Sequence, residues 1–211
     1  MSRRAGGYLA ILLSLGVALA AVLGPLVLEV IEFRLGENAI TQFRGGEIVS
    51  LAIVAPLLIV AGALWLRGHP LAPVLAIGPA LYAAYTYTSA VLGQEYARYE
   101  GNVEKFYPLF AGLVLGGLVV AMLSWMWLAE EPASARPYAA HRALAWAFII
   151  LGAFFALTWA AQIRLVYTGD PPEEYNEGPT LFWLIKFLDF ALCIPVLIAT
   201  GIGLRRGVAT A

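Results

Sequence analysis

The sequence predicts an all-α, polytopic membrane protein: residues 1–211 form a single domain, one bundle of six transmembrane helices with both termini cytoplasmic. Three observations carry that expectation. Of the 211 residues 61% are hydrophobic and only 13% charged, against roughly 25% charged in soluble domains. Apolar runs fall at about 8–31, 48–66, 71–92, 107–128, 143–166 and 180–204, each near the ~20 residues a helix needs to cross a hydrocarbon core about 30 Å thick. Charge is asymmetric between the two sides such spans define. Arg3, Arg4, Arg67, Arg136, Arg142, Arg205 and Arg206 fall on one side, whereas Glu32, Glu37, Glu47, Glu95, Glu100, Glu104, Asp170, Glu173, Glu174 and Glu177 fall on the other. Lys and Arg mark the cytoplasmic side. Arg34, Arg44, Arg98, Lys105 and Arg164 on the acidic side make the bias moderate.

The first run follows "MSRR", the charged head of a signal peptide. Its apolar residues continue to about Val30, past the ~7–15-residue core of a signal, so it reads as a retained first span. The second ends at the tight turn "RGHP" (67–70). The third is rich in hydroxyls: Tyr82, Tyr85 and Tyr87 with Thr86, Thr88 and Ser89. Tyr82, Tyr85 and Ser89 recur at three and four residues and share one helical face. In the fourth, "GLVLG" (112–116) sets two small residues at a spacing that favours close helix contact. A second cytoplasmic turn, 129–142, leads to the fifth. The acidic, aromatic connections 32–47, 93–107 and 164–180 are the outer loops, either a recognition surface or solvated connectors.

"SLAIVAPLLIVAGALWLRG" (50–68) aligns without a gap to "DFALCIPVLIATGIGLRRG" (189–207), matching Pro56 with Pro195, Gly62 with Gly201, Arg67 with Arg206 and Gly68 with Gly207. This reads as a parallel repeat of the hairpins 8–66 and 143–204, an arrangement common in transporters. Each proline removes an intrahelical hydrogen bond and frees a carbonyl.

The sixth run, "LFWLIKFLDFALCIP", carries Lys186 and Asp189 three residues apart. Counted inward from Thr180, Lys186 lies roughly 9 Å deep and Asp189 about 14 Å. An unpaired charge there costs at least ~2.5–3.5 kcal/mol, so Asp189 faces the bundle interior or is protonated. Tyr82 and Tyr85 lie at the same depths, and the expectation is a polar pocket between spans three and six. Asp189 and Lys186 form its base, Tyr82, Tyr85 and Ser89 its wall, and Glu29 and Arg164 its outer mouth, near Glu32, Trp159 and Gln162. The competing reading is an internal salt bridge that orders helices.

Several chemistries are excluded. Cys193 is the single cysteine, so there is no intrachain disulfide and no paired-Cys motif. His69 and His141 both lie at cytoplasmic edges, which leaves no pair of haem ligands across the membrane. No phosphate-binding loop, dinucleotide glycine motif, zinc-protease motif or nucleophile elbow is present. The expectation is no cofactor, no metal, no nucleic acid and no catalytic residue, and enzyme activity is disfavoured. Ala, Gly and Arg usage points to a bacterial inner membrane.

At "GPALYAAYTYTSAVLGQEY" with "FYPLFAGL", and at "GPTLFWLIKFLDFALCIPVLIATGIGLRRG", the chain resembles a group of six-span bacterial membrane proteins of unknown function. The matching positions are Tyr82, Tyr85 and Tyr87; Phe106 and Phe110; and Pro179, Thr180, Leu188, Asp189 and Pro195. Asn102 is displaced from that group's pattern. The resemblance covers about half the chain and implies the fold and no activity. Two functions remain open: small-ligand or ion binding or transport, with the lipid bilayer as the medium, and an accessory or assembly subunit of a larger membrane complex.

Overall fold

A computed structural model describes residues 3–130 and 139–206, with side chains over 4–128 and 142–206. Of the turn expected at 129–142, residues 131–138 with Arg136 lie outside what is described, as does the repeat's last match, Gly207; the turn's two ends, 129–130 and 139–142, are helical. The described residues are helical, without strands: α1 (Arg3–Leu23), α2 (Glu37–Leu66), α3 (Leu71–Leu92), α4 (Tyr107–Glu130), α5 (Ala139–Thr168), the short α6 (Glu173–Glu177) and α7 (Pro179–Arg206). Among the described residues five helices, α1, α2, α4, α5 and α7, are long and apolar enough to cross a membrane. At ~33 Å α3 has the length, but its Tyr, Thr and Pro residues leave it less apolar than those five.

Two helix ends differ from expectation. The first helix stops at Leu23 rather than near 31, because Pro25 has no N–H and disfavours helical geometry at Gly24. The chain then folds back, with Glu29 N–H on Gly24 O (3.0 Å) and Ile31 N–H on Leu23 O (2.8 Å). Glu29 takes φ 52°, the left-handed region that L-residues rarely occupy. The expected outer connection 32–47 is helical from Glu37 onward, so α2 begins about three turns before the apolar run.

The chain divides into two compact units, 1–130 and 131–211. In the first, α1 packs along the Ala55–Leu66 half of α2 and against α4, and α3 packs against α2 and α4. Small residues set these approaches. A Cβ at Gly62 would lie 2.8 Å from Gly7 O and 2.6 Å from an Ile11 side-chain carbon on α1. On α3, Ala72, Ala76, Ala80 and Ala84 are buried at four-residue spacing. There the close partner is Gly117, whose added Cβ would sit 2.5 Å from Ala80 O, while Gly112 faces open space. The contact signalled by "GLVLG" therefore falls one residue beyond that motif.

Two loops close one end of this unit. Arg34 donates twice to Glu104 (2.7 and 3.2 Å) and once to Tyr99 O (3.1 Å). Its backbone N–H donates to Gln94 Oε1 at 2.6 Å. Asn102 accepts from Glu32 N–H (3.0 Å) and donates to Val30 O (3.0 Å). Held by Glu104, the Arg34 guanidinium titrates above its ordinary, already high value. The second unit is a helical hairpin in which α5 packs along the Ile194–Arg206 half of α7.

Candidate functional site

The two aligned segments share a local distortion. A π-helical turn spans Ser50–Val54 in α2 and another spans Asp189–Cys193 in α7, each ending two residues before its proline. These turns occupy equivalent positions of the ungapped alignment. In each the bond bridges five residues, Ala55 N–H to Ser50 O and Ile194 N–H to Asp189 O. The prolines explain the location, since neither Pro56 nor Pro195 can donate to the carbonyl four residues earlier. Single π turns inside α-helices are frequent at functional sites.

The likeness extends to the packing. A Cβ at Gly201 would lie 2.6 Å from both Ala145 O and an Ile149 side-chain carbon on α5, as one at Gly62 would meet Gly7 O and Ile11 on α1. Ser14 of α1 donates to Ala55 O at 2.7 Å, beside the first π turn. Near the second turn stands Gly152, whose Cβ would lie 3.6 Å from Ile194 O, the equivalent carbonyl.

Continuing the alignment toward the N-terminus pairs Glu47 with Lys186 and Phe43 with Phe182. Glu47 and Lys186 are the buried charged side chains of the described residues, at 8% and 6% exposure. Each stands three residues before its π turn, and their charges are opposite.

In the second unit, Lys186 lies with its ammonium 4.0 Å from the centroids of both Trp159 and Phe182. The negative faces of the rings attract the cation. Trp159 also donates its indole N–H to Asp189 at 2.7 Å, so one ring serves both members of the sequence pair. Gln162 follows Trp159 by three residues on α5, and its Oε1 is buried without a hydrogen-bond partner among the described residues. The sequence places Trp159 only near the outer mouth of the expected pocket, and nothing in its spacing alone reveals the bond to Asp189.

In the first unit, Tyr82 donates to Gly46 O at 3.0 Å and lies 3.4 Å from the Ser50 hydroxyl. Tyr87 donates to Val17 O at 3.3 Å. Ser89 is turned back onto its own helix, donating to Tyr85 O at 3.1 Å, and Tyr85 is half-buried. Glu47 accepts the Leu26 N–H at 2.8 Å, and a side chain at Gly24 would collide with its carboxylate. Glu29 stays exposed, 3.5 Å from Arg44, and Arg164 is exposed. Comparison finds no matching family model, no similar curated protein and no similar solved structure.

Proposed function

We propose that the chain is an integral protein of a bacterial inner membrane, with six spans and both termini cytoplasmic, that binds or transports a small ligand through Lys186 and Asp189. The observation that carries this reading is the surroundings of Lys186. An ammonium has three N–H donors; the two rings flanking it offer π faces but no lone pairs, while the Glu174 and Asp189 carboxylates act on its charge. A carboxylate, phosphate or carbonyl oxygen of a ligand would supply the acceptors. Gln162 Oε1, on the Trp159 face of α5, would take a hydroxyl or amine donor. The ligand class is a small anionic molecule that also carries a hydrogen-bond donor.

Native mass spectrometry on protein extracted gently from its own membrane tests this. A bound small molecule that disappears in Lys186→Met and Asp189→Asn is the expected result. Identical spectra for the three proteins would end the reading.

A second reading, an accessory or assembly subunit of a membrane complex, has α5 in its favour. Only 11% of that helix's most apolar stretch is buried, leaving it open to lipid or to a protein partner. The same spectra would then carry a stoichiometric protein partner in place of a small molecule.

A further inference from the structure

We infer that the first unit holds a binding site for a small monovalent cation, a proton or an alkali-metal ion, at the Glu47 carboxylate. Three observations converge on it. A cavity of about 20 Å³ adjoins Glu47, Gly46, Ser50 and Thr86, with Phe33, Phe43 and Phe110 among its apolar walls. That volume accommodates about one water molecule, or an ion of similar size.

The oxygens next to this space are arranged rather than incidental. Glu47 accepts the Leu26 N–H, while Ser50, 2% exposed, meets Tyr82 at only 3.4 Å. Its hydroxyl therefore retains lone pairs for a cation. Tyr82, by donating to Gly46 O, fixes the start of this stretch of α2.

The residue type is the third observation. Leu26 N–H requires only an oxygen acceptor, which glutamine would provide. A buried carboxylate carries a desolvation penalty that glutamine avoids. Such a group is explained by something that neutralises it.

A single carboxylate matches a single positive charge. Divalent calcium commonly takes six or more oxygens, several of them carboxylate, and no group of three His, Cys, Asp or Glu is assembled among the described residues. The charged and titratable groups around Glu47 are few. Arg44, on the same helix, donates to Pro25 O and lies beside Glu29 of the turn. Helix α3 contributes Tyr82 and Tyr87, while α1 and α4 offer alanines and Phe110 at the cavity. Arg44 directs its hydrogen bonds to Pro25 O and Glu29 at the rim and acts on the Glu47 carboxylate through charge.

The test uses the full chain in nanodiscs of zwitterionic lipid. Infrared difference spectra are recorded on stepping pH, with sodium chloride or choline chloride as the salt, and thermal melting is followed in parallel. A protonated-carboxyl band that titrates in the native protein and is missing from Glu47→Gln establishes proton binding. Suppression of that band by sodium, or a sodium-dependent rise in melting temperature that Glu47→Gln abolishes, establishes the alkali-metal ion. Ser50→Ala, which keeps the carboxylate, should raise the sodium concentration for half-effect several-fold. Should Glu47→Gln not fold, Glu47→Asp replaces it and should shift the band. Lys186→Met should leave all these signals in place, which separates this site from the ligand proposed for the second unit. The inference is overturned if no titrating carboxyl band distinguishes the native protein from Glu47→Gln and sodium has no effect on melting.

Discussion

Trp159 holds Asp189 and Lys186 at once: its indole N–H donates to the Asp189 carboxylate at 2.7 Å, and its ring face lies 4.0 Å from the Lys186 ammonium. One side chain on α5 thus bridges an anion and a cation a turn apart on α7. The two contacts can be separated by mutation. Trp159→Phe keeps an aromatic face for the cation and removes the donor, which should destabilise the second unit by about 1–3 kcal/mol. Trp159→Leu removes both and should lose more. Thermal melting in detergent would decide: equal losses for the two variants would show that the ring face adds nothing beyond the indole donor, and a Trp159→Phe protein as stable as the parent would show that the donor contributes nothing.

The glycine crossings make a parallel prediction for both units. Gly62→Val and Gly201→Val each push a side chain into a backbone carbonyl, of Gly7 or Ala145 respectively. Overpacking of this kind costs about 1–3 kcal/mol. Gly112→Val meets no atom within 4 Å and should leave melting unchanged, so it is the internal control. A Gly62→Val protein as stable as the parent would mean that α1 and α2 can separate freely.

Ser14 supplies a hydroxyl to Ala55 O beside the first π turn. Ser14→Ala should lower stability by about 1 kcal/mol, since both residues are buried. Ser14→Thr keeps the donor and should recover part of that loss. Chemical unfolding in mixed micelles can measure both, and a neutral Ser14→Ala would demote the bond to a bystander.

Removal of the prolines should act on the π turns themselves. Pro56→Ala and Pro195→Ala each restore an N–H that can reach the carbonyl four residues back, so the turns should relax toward α-helix. Distances between spin labels on either side of the turn would report it. Unchanged distances would mean that tertiary packing, rather than proline, maintains the distortion.

The end closed by Arg34 gives a prediction that needs no membrane argument. Arg34→Lys keeps the charge but cannot reproduce the forked contact with Glu104. Hydrogen exchange at the Glu95 and Asn102 amides, which donate to Arg34 O and Glu32 O, should accelerate, more so in Arg34→Ala. Exchange that stays at the parent rate would assign the closure to Asn102 and Gln94 alone.

Long apolar runs were legible as helices because their pattern is continuous, and the Leu71–Leu92 helix falls on the expected bounds despite its hydroxyls. What misled was polarity at helix ends. Glu37–Val49 carries Glu37, Arg44 and two glycines, so it reads as a loop until α3 and the 24–36 turn pack around it. Glu47 was assigned to the outer acids for the same reason. A signal for it existed, because the register that pairs Pro56 with Pro195 also pairs Glu47 with Lys186, but it lay upstream of the obvious apolar match. Lys186 and Asp189 stood out because they interrupt hydrocarbon. The partners of Asp189 and Tyr82 depend on side-chain directions that spacing does not encode, as Trp159 and Gly46 demonstrate.

An extra residue within a helix is also a phase shift, since each residue advances the helix by about 100°. Glu47 and Lys186 precede the shift in their helices, and Gly62 and Gly201 follow it. Each long helix is therefore two separately aimed parts, a charged half and a glycine half, joined at a fixed angular offset. Erasing the offset would swing each charge by roughly a quarter-turn while its glycine crossing stayed in place.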